Sequence, residues 1–230
     1  MNILEHNRIL SALPERELKL LRYDLEPVEL PLNLILSQKD RPLEKLYFPT
    51  AGIISLLAVL DNGSTTEVGM VGQEGVVGAL GFLGEGVFHA QAVVQLLGTA
   101  MAIKTQALRP KYDRCQTLQK LLLRHSLKLF NQVSLCSACN NHHSVKQRTA
   151  RWLLMMDDRS DRHPLIMTQQ LLAQMLGVRR TGVTEIASQM QEQGIIQYRR
   201  GKIEILDRSA LEQIACQCYQ ILKQDNLDFR

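Results

Sequence analysis

The stretch TQQLLAQMLGVRRTGVTEIASQMQEQG, residues 168–194, decides the fold of the C-terminal part of the chain. Thr168 favours a helix start, because its hydroxyl can accept a hydrogen bond from an unpaired amide of a helix over Gln169–Leu176. Ala173 is small where a second helix must cross closely, and Gly177 can take the left-handed backbone of a tight turn. Apolar residues then recur at the spacing that buries a second helix over about 180–193. This pattern predicts a helix-turn-helix unit.

A small β-hairpin, or wing, is predicted directly after this unit. The turn Arg200-Gly201 lies between two short runs, 195–199 and 202–206, that alternate in polarity. Asp207 can then cap a last helix that runs to about Leu222. The C-terminal part is therefore predicted to be a winged helix-turn-helix.

Basic residues cluster where a DNA duplex would meet such a fold. Two arginines begin the second helix, whose N-terminal end enters the major groove in helix-turn-helix proteins, and others lie on the wing. An arginine pair at a helix start can be plain solvated surface, but its combination with the packing pattern and a basic wing favours double-stranded DNA as the partner. The candidate base contacts are Arg180, Thr181 and Thr184, and the candidate phosphate contacts are Thr168, Gln170, Arg179, Arg199, Arg200 and Lys202.

The N-terminal part has a different composition, typical of β-structure. No Lys or Arg lies between residues 45 and 104, and ten of the 14 glycines fall between residues 52 and 98. The turn Asp61-Asn62-Gly63-Ser64 predicts a hairpin, since Asn and Gly tolerate positive φ. We expect an antiparallel roll or sandwich, preceded by a short helix over about 14–23. Its predicted strands are 46–48, 53–60, 65–71, 76–80, 90–97 and 100–103.

A glycine-free stretch, 105–142, predicts a long helix between these two parts, with a break at Asn140-Asn141 and a new helix capped by Ser144. Its apolar residues fall on two faces, and such a helix must pack against two neighbours. We expect these neighbours to be the β-rich part and a second copy of the chain, giving a homodimer; burial within a monomer is the alternative. The candidate dimer contacts are Leu118, Leu122, Leu129, Val133 and Cys136, and the second stripe is Leu123, Leu127 and Phe130.

These elements give an α+β fold in three parts, with predicted boundaries of 1–110, 111–143 and 144–230. The sequence has no nucleophile elbow, P-loop, His-Glu-x-x-His or dinucleotide fingerprint, which disfavours an enzyme. Its longest uncharged stretches contain a proline or several polar residues, which disfavours a membrane span. Five cysteines are an odd number in a chain too long to need disulfides, so we expect a cytoplasmic protein.

Several motifs resemble the cyclic-AMP receptor protein (Crp/Fnr) superfamily of bacterial transcription regulators, over nearly the whole chain. They are Phe48-Pro49-Thr50-Ala51-Gly52, Glu67-Val68-Gly69, Gly72-Gln73-Glu74-Gly75, Ser144-Val145-Lys146-Gln147-Arg148 and the winged segment. The resemblance implies a double-stranded β-helix or jelly roll that senses an effector, a long dimerisation helix and a winged helix-turn-helix. It also implies a homodimer on two-fold symmetric DNA, with RNA polymerase as a further candidate partner.

The chain departs from the relatives that bind cyclic AMP through a Glu on the ribose hydroxyl and an Arg on the phosphate. The Glu position is Ala79 here, and no Arg lies around Phe88-His89-Ala90. A phosphate needs a cation or a cluster of amides, and the roll offers no Lys or Arg, so we expect the cyclic-AMP pocket to be lost and predict no cofactor. The resemblance leaves other effectors open, among them cyclic di-GMP, 2-oxoglutarate, haem or an iron–sulfur cluster. An acidic effector would use arginines outside the roll: Arg8, Arg109, Arg114 or Arg124.

The chain also departs from the family in the recognition helix. The family pattern is an Arg-Glu pair followed by a second Arg, whereas here Arg180 is followed by Thr181, and Glu185 stands at the second Arg. The preferred half-site should therefore differ. Gly182 costs about 1 kcal/mol relative to Ala inside a helix, and it either permits close approach to DNA or is tolerated in a first turn. The alternative to a DNA-binding regulator is an effector-binding module that acts mainly through protein partners.

Two cysteine pairs carry a superficial metal signal. Cys136-Ser-Ala-Cys139 lies close to His142-His143, but on a continuous helix both cysteines fall on the packing stripe, where buried small hydrophobes are the favoured interpretation. The thiols of Cys216-Gln-Cys218 would point apart on a single helix. We therefore predict no metal site.

Overall fold

The computed structural model describes residues 3–42, 44–160 and 164–227, which fold as two compact units. The first unit contains the described residues up to Ala58 together with Gly69–Asn131, and the second contains Val59–Val68 and the described residues from Gln132 onward. The division between the units falls inside the long helix, which the predicted boundaries treated as a part of its own. The ends of the predicted domains, residues 1, 2 and 228–230, lie outside the described residues.

The first unit combines short helices with long antiparallel strands, after a 3₁₀ turn at Ile3–His6. Its elements are α1 (Arg8–Ser11), α2 (Glu15–Leu21), β1 (Glu26–Leu30), β2 (Ile35–Ser37), β3 (Lys45–Val59), β4 (Thr65–Val71), α3 (Ala79–Leu83), β5 (Ala90–Lys104), α4 (Thr105–Tyr112) and α5 (Gln116–His142). β5 is central in the sheet, because β1, β2 and β3 each pair with it antiparallel. β4 lies beyond β3, and the tip of the β3–β4 hairpin belongs to the second unit.

Two pairs of predicted strands are fused in the structure. β3 joins the first two predicted strands and β5 joins the last two. Gly52, at φ +85°, lies against Gly98, where a Cβ would stand 2.1 Å from the carbonyl oxygen of Ala51. The register between β3 and β5 shifts at this point, so the two glycines let the strands bulge instead of ending.

The remaining predicted strands have mixed outcomes. Residues 65–71 are confirmed as β4. A strand at 76–80 is wrong, because the chain there makes one isolated bridge, Val77 to Tyr47, and then turns at Gly78 into α3. β1 and β2 were not predicted, since both are short and mostly not buried.

Asn7 holds the N-terminal helices against the sheet. It is fully buried, and its Oδ1 accepts hydrogen bonds from the amides of Ile9 and Leu10 at 3.0 and 3.1 Å, which caps α1. Its Nδ2 donates at 2.9 Å to the carbonyl oxygens of both Pro49 and Gly75. The side chain is thus satisfied at both ends, as a buried amide requires. Two of the motifs that carry the family resemblance meet at this one residue.

Glu17 joins α2 to the start of the long helix. α2, with Pro14 at its N-cap, confirms the predicted short helix. The buried Glu17 carboxylate accepts hydrogen bonds of 3.0 Å from the amides of Thr117 and Leu118, in the first turn of α5. Burial raises the pKa of this carboxyl, but the two backbone bonds outweigh it and bring the pKa below its ordinary value. A negative charge at a helix N-terminus is also favoured by the helix dipole.

The two stripes of α5 differ in their exposure within the single chain. The predicted dimer residues lie inside the chain, with exposed fractions of 0% for Leu118 and Leu122, 7% for Leu129 and 5% for Cys136, and a partly buried Val133. The second stripe is exposed, at 59% for Leu123, 61% for Leu127 and 65% for Phe130. Leu118, Leu122, Leu129 and Cys136 therefore have little surface left for a second copy in the single chain, whereas Val133 keeps some, and the assignment of this stripe to a dimer contact stays a prediction. α5 also continues through the predicted break and ends at His142.

The second unit is a winged helix-turn-helix. Its elements after α5 are α6 (Val145–Asp157), β6 (Leu165–Ile166), α7 (Gln169–Leu176), α8 (Arg180–Glu192), β7 (Ile196–Arg199), β8 (Lys202–Ile205), α9 (Arg208–Ile214) and α10 (Cys218–Leu227). Ser144 caps α6 as predicted, in a capping box with Gln147. Two expectations are corrected: β6 adds a third strand to the wing, in the order β6-β8-β7, and the last helix is broken into α9 and α10.

Trp152 of α6 anchors the core of the second unit. It is 1% exposed, and its Nε1 donates a hydrogen bond of 2.9 Å to Oε1 of Glu67 in the hairpin segment Val59–Val68. Thr66 of the same segment lies against Gly177, where a Cβ would approach its Oγ1 to 2.5 Å. The hairpin segment therefore packs on α6 and on the turn between α7 and α8.

His125 of α5 is a buried titratable group in the first unit. Its Nε2 lies 2.9 Å from the carbonyl oxygen of Val76 and donates to it in the neutral Nε2–H tautomer. Burial is the main reason that the pKa of His125 falls from 6.5 to about 4, with Lys128 acting in the same direction and Glu74 and the Val76 bond opposing.

The free energy of unfolding should therefore fall as the pH drops from 6.5 towards 4, because the unfolded chain takes up a proton that the folded His125 does not. The full effect corresponds to about 3 kcal/mol. Denaturant unfolding measures the loss of unfolding free energy between about pH 7 and about pH 4.5. This loss should be roughly 2 kcal/mol smaller for His125→Gln than for the wild type. The exposed His6→Gln variant serves as control, and equal pH dependence in all three proteins would contradict this account.

Candidate nucleic-acid interface

Local sequence chemistry fixes the two helices that form the centre of the interface. Thr168 is the N-cap of α7, where its Oγ1 accepts a hydrogen bond of 3.1 Å from the amide of Leu171. Gly177 ends α7 in the left-handed conformation, at φ +63°. The inward face of α8 is formed by the buried Val183, Ala187 and Met190. The predicted helix-turn-helix is confirmed.

The outward face of α8 carries the three candidate base contacts. Arg180, Thr181 and Thr184 are all exposed, in the first turn and a half of the helix. Arg179 is the N-cap residue, and its side chain makes no capping hydrogen bond. Glu185 is exposed on the same helix, so an acidic group lies one residue from Thr184. The face therefore combines guanidinium, hydroxyl and carboxylate groups, which can distinguish base edges by donor and acceptor pattern.

Thr184 also has a role within the protein that the sequence did not indicate. Its hydroxyl lies 2.7 Å from Oε1 of Gln169 and 3.0 Å from the carbonyl oxygen of Arg180. A hydroxyl has one proton, so it donates to one of these oxygens and keeps its lone pairs for an external donor. In this arrangement Thr184 can accept a hydrogen bond from a base amine, and Gln169 couples the first turn of α7 to α8.

The wing places its cations around a tight turn. Arg200 and Gly201, with φ values of +52° and +75°, form the two-residue turn between β7 and β8. Arg199, Arg200 and Lys202 are exposed there, as predicted from the sequence. Tyr198 ties the wing to α7, because its hydroxyl accepts a hydrogen bond of 3.1 Å from the amide of Gln169. Sequence reasoning missed Tyr198, whose partner is 29 residues away.

The cations of this face differ from the other basic residues of the second unit. Arg148 and Arg151 are buried, and Arg148 donates to the carbonyl oxygen of Leu176 at the end of α7. Arg208 is held in ion pairs with Asp157, Asp158 and Glu212. Within the described ranges, no carboxylate forms an ion pair with any of the cations on α8 and the wing, which are Arg179, Arg180, Arg199, Arg200 and Lys202. Their charge is thus available to an external anion.

Gly182 lies on α8 between the candidate contacts. A Cβ at this position would meet no atom within 4 Å, so packing inside the protein does not require a glycine. The same position has no positive φ. Packing within the protein therefore does not explain the glycine. Both interpretations from the sequence stay open: Gly182 is tolerated in the first turn, or it allows close approach by DNA.

The first unit contains a small cavity beside α3. Its volume is about 20 Å³, which is room for about one water molecule. Ala79, Phe88 and Leu129 line it, together with Arg41 from the segment between β2 and β3. The expectation that the roll offers no cation is therefore wrong, because Arg41 precedes the stretch without Lys or Arg. The four arginines suggested from the sequence are not among the lining residues; Arg109, for example, lies over the ring of Phe82 at 4.0 Å.

Four metal-ligating side chains come together in the second unit, although the sequence predicted no metal site. They are Cys139, His143, Cys216 and Cys218, whose ligand atoms all lie within 4.8 Å of one another. The argument that the last two thiols point apart fails, because the chain breaks between α9 and α10 and Cys216 lies in the break. Cys136 and Cys139 are both buried, as expected, but only Cys139 belongs to this cluster.

No helix in the described ranges is long and apolar enough to cross a membrane. Residues 27–115 match the family of cyclic nucleotide-binding domains, and residues 147–214 match the family of Crp-like helix-turn-helix domains. No curated protein sequence matches the chain.

Several solved structures resemble the chain in fold. A regulator assigned to the Crp/Fnr family from Eubacterium rectale shares 17% identity over 91% of this chain and 98% of its own, with a TM-score of 0.74. FixK2 from Bradyrhizobium japonicum has 17% identity over 84% and 98%, with a TM-score of 0.70. CLP from Xanthomonas campestris, a global regulator that responds to cyclic di-GMP, has 16% identity over 84% and 99%, with a TM-score of 0.67.

The two matched domain families follow one another in the order that the Crp/Fnr architecture requires, on either side of the long helix α5. The exposed cations of α8 and the wing are the chemistry that such an architecture directs at DNA. The two matches together indicate a Crp/Fnr-type transcription regulator, in which a cyclic nucleotide-binding domain precedes a Crp-like helix-turn-helix DNA-binding domain.

Proposed function

We propose that the chain acts in the cytoplasm as a homodimer that binds a two-fold symmetric DNA site without responding to cyclic AMP. The observation that carries the DNA assignment is the set of exposed cations on α8 and the wing, for which the described residues supply no ion-pair partner. A surface of this kind favours a polyanion over a protein partner. A contact with RNA polymerase stays a prediction.

In this proposal the two helices and the wing divide the contacts between bases and phosphates. Arg180 donates two hydrogen bonds to a guanine edge, and Thr181 and Thr184 contact neighbouring bases. Thr168 and Gln170 place the N-terminus of α7, with its unpaired amides and positive dipole end, against a phosphate. Phosphates flanking the groove are contacted by Arg179, Arg199, Arg200 and Lys202.

The base and phosphate roles can be separated by two substitutions. Arg180→Ala should weaken binding to the selected site by about 1–3 kcal/mol and relax the preference at one base position. Lys202→Ala should weaken binding to all sequences alike and lower the slope of log affinity against log salt by about 1. Sequence selection from random duplexes, followed by titration at several salt concentrations, measures both effects. An equal loss for Arg180→Ala on specific and random DNA would contradict its assignment.

The exposed stripe of α5 supports the homodimer. Leu123, Leu127 and Phe130 recur at intervals of four and three residues, which is the seam spacing of paired helices. Each is about three-fifths exposed in the single chain. Burying three such side chains against their symmetry mates would remove a large apolar area from water. A two-fold axis beside this stripe would also give the two recognition helices the symmetry of a palindromic site.

Leu127→Glu should therefore convert the dimer to a monomer, because it places two like charges in an apolar seam. The matched control is Leu60→Glu, since Leu60 is also 61% exposed but lies outside the stripe. Light scattering measures the mass, and binding to the two-fold site measures the consequence. A dimer that survives Leu127→Glu, or that is lost equally in both variants, would contradict the proposed seam.

The small cavity supports the proposal that cyclic AMP is not the effector. Its volume of about 20 Å³ is far below that of a nucleotide. Ala79 stands where cyclic-AMP receptors have the ribose-binding Glu, and it adds apolar surface to the lining. Arg41 is the one cation among the lining residues, and it is exposed to solvent. An acidic effector that used this cavity would have to open it and pair with Arg41.

A thermal-shift titration with cyclic AMP should accordingly leave the melting temperature unchanged at micromolar ligand. The same screen should include cyclic dinucleotides and central metabolites, with Arg41→Ala as the matched variant for any ligand that does bind. A stabilisation by cyclic AMP that Arg41→Ala abolishes would show that the pocket is functional and overturn this part of the proposal.

A further inference from the structure

Three cysteines and a histidine form a compact cluster in the second unit. The Sγ atoms of Cys139 and Cys216 are 3.4 Å apart, and Sγ of Cys218 is 3.7 Å from Nδ1 of His143. All four ligand atoms lie within 4.8 Å of one another. Two segments that are more than 70 residues apart in sequence supply two ligands each.

The backbone explains how these four side chains converge. His143 directly follows α5, and its amide still donates a hydrogen bond of 3.0 Å to the carbonyl oxygen of Cys139, so the side chains at these two positions, four apart, lie on the same side. Cys216 follows Ala215, which ends α9 in an extended conformation with ψ 145°, and Cys218 begins α10. The extended link turns both thiols towards the end of α5. A continuous last helix would have separated them.

The three thiols of the cluster are buried. Cys139, Cys216 and Cys218 have exposed fractions of 0%, 3% and 3%, while His143 is partly exposed. Their polar atoms face one another, and the apolar neighbour of the three cysteines is Leu135. Three thiols and an imidazole gathered around one point form the donor set that soft and borderline metal ions prefer.

The distances fit a tetrahedral zinc site. Zn²⁺ binds thiolate sulfur at about 2.3 Å and imidazole nitrogen at about 2.0–2.1 Å, which places neighbouring ligand atoms roughly 3.4–3.8 Å apart in a tetrahedron. Two distances within the cluster, 3.4 Å between two sulfurs and 3.7 Å between sulfur and nitrogen, lie close to this range. Four protein ligands leave no open position, which is the arrangement of a structural site. We propose that Cys139, His143, Cys216 and Cys218 bind one Zn²⁺ ion.

A buried cation beside the cluster supports this assignment. Zn²⁺ with three thiolates and a neutral histidine carries a net charge of −1. Arg151 of α6 is 5% exposed, and its Nη1 lies 3.4 Å from Sγ of Cys136, one helical turn before Cys139. The hydrogen bonds that its guanidinium makes within the described ranges go to sulfur, at Cys136 and at Met155. A zinc-thiolate centre would give this buried positive charge a nearby counter-charge.

A disulfide between Cys139 and Cys216 is the competing explanation. Their separation of 3.4 Å is well beyond an S–S bond of about 2.05 Å. A disulfide would also not explain why His143 and Cys218 lie close to these two sulfurs. The metal accounts for all four side chains at once, and it would join the end of α5 to the α9–α10 junction immediately before Ser144 caps α6.

The purified full-length protein tests the proposal directly through its metal content. We expect about one zinc per chain by plasma mass spectrometry, and for the Co²⁺-substituted protein the sulfur-to-cobalt charge-transfer absorption and the ligand-field bands of tetrahedral thiolate coordination. Cys218→Ser and Cys139→Ser should each lose at least about tenfold in metal affinity, since even changes behind a ligand cost roughly 10–100-fold. The matched controls are Cys136→Ser on the same helix and Cys115→Ser in the first unit, which should keep the zinc.

The test does not depend on the folding of the variants, because the zinc content of the wild-type protein can overturn the proposal by itself. Wild-type protein without zinc after purification under reducing conditions, or with a Cys139–Cys216 disulfide in peptide mapping, would overturn the site. Cobalt spectra without thiolate charge transfer would show adventitious binding and overturn it too. Zinc that is retained in Cys218→Ser would remove Cys218 from the ligand set and refute the four-ligand assignment. These results are independent of whether the protein binds DNA.

Discussion

The 27-residue helix α5 carries apolar side chains on two faces, and several other elements of the chain pack against it. Glu17 satisfies amides at its N-terminus. Leu118 and Leu122 enter the core of the first unit, beside Phe48 and Phe82. Further along the helix, Cys139 faces the α9–α10 junction. The stripe that includes Leu127 is left in solvent, and in the proposed homodimer a second copy of the helix would cover it.

The parts of the fold that follow from local chemistry could be predicted from the sequence. Thr168 and Gly177 bound α7 because capping and left-handed turns depend on the residue itself and its near neighbours. Ser144 starts α6 for the same reason. Arg180 is exposed in the first turn of α8, where the helix begins ahead of its buried residues. The wing turn was also predictable, because Gly201 tolerates the φ of +75° that it takes there, although Arg200 takes a positive φ of +52° as well.

The predictions that the structure contradicts concern features that depend on which distant segments of the chain approach one another. Gly52 and Gly98 look like strand ends when each is read alone, and only their mutual contact turns them into a bulge. The two stripes of α5 are equally apolar, so the sequence could not say which one meets the sheet. Arg41 lies between β2 and β3, outside the stretch without Lys or Arg, so the charges along the strands could not predict a cation beside the cavity. The cysteine cluster was dismissed on the assumption of an unbroken last helix, although nothing in 207–222 marks the break except the two cysteines and the glutamine between them.

The net charge of +4 is a poor measure of the electrostatic potential at the surface formed by α8 and the wing. Residues 144–230 contain 13 basic and ten acidic side chains, an excess of only three. Burial removes Arg148 and Arg151 from the surface, and Arg208 is neutralised by three carboxylates. The cations that stay exposed are concentrated on α8 and the wing. Since the potential at a surface depends on the nearest charges within a Debye length, a domain with a small net charge can still present a strongly positive face to DNA.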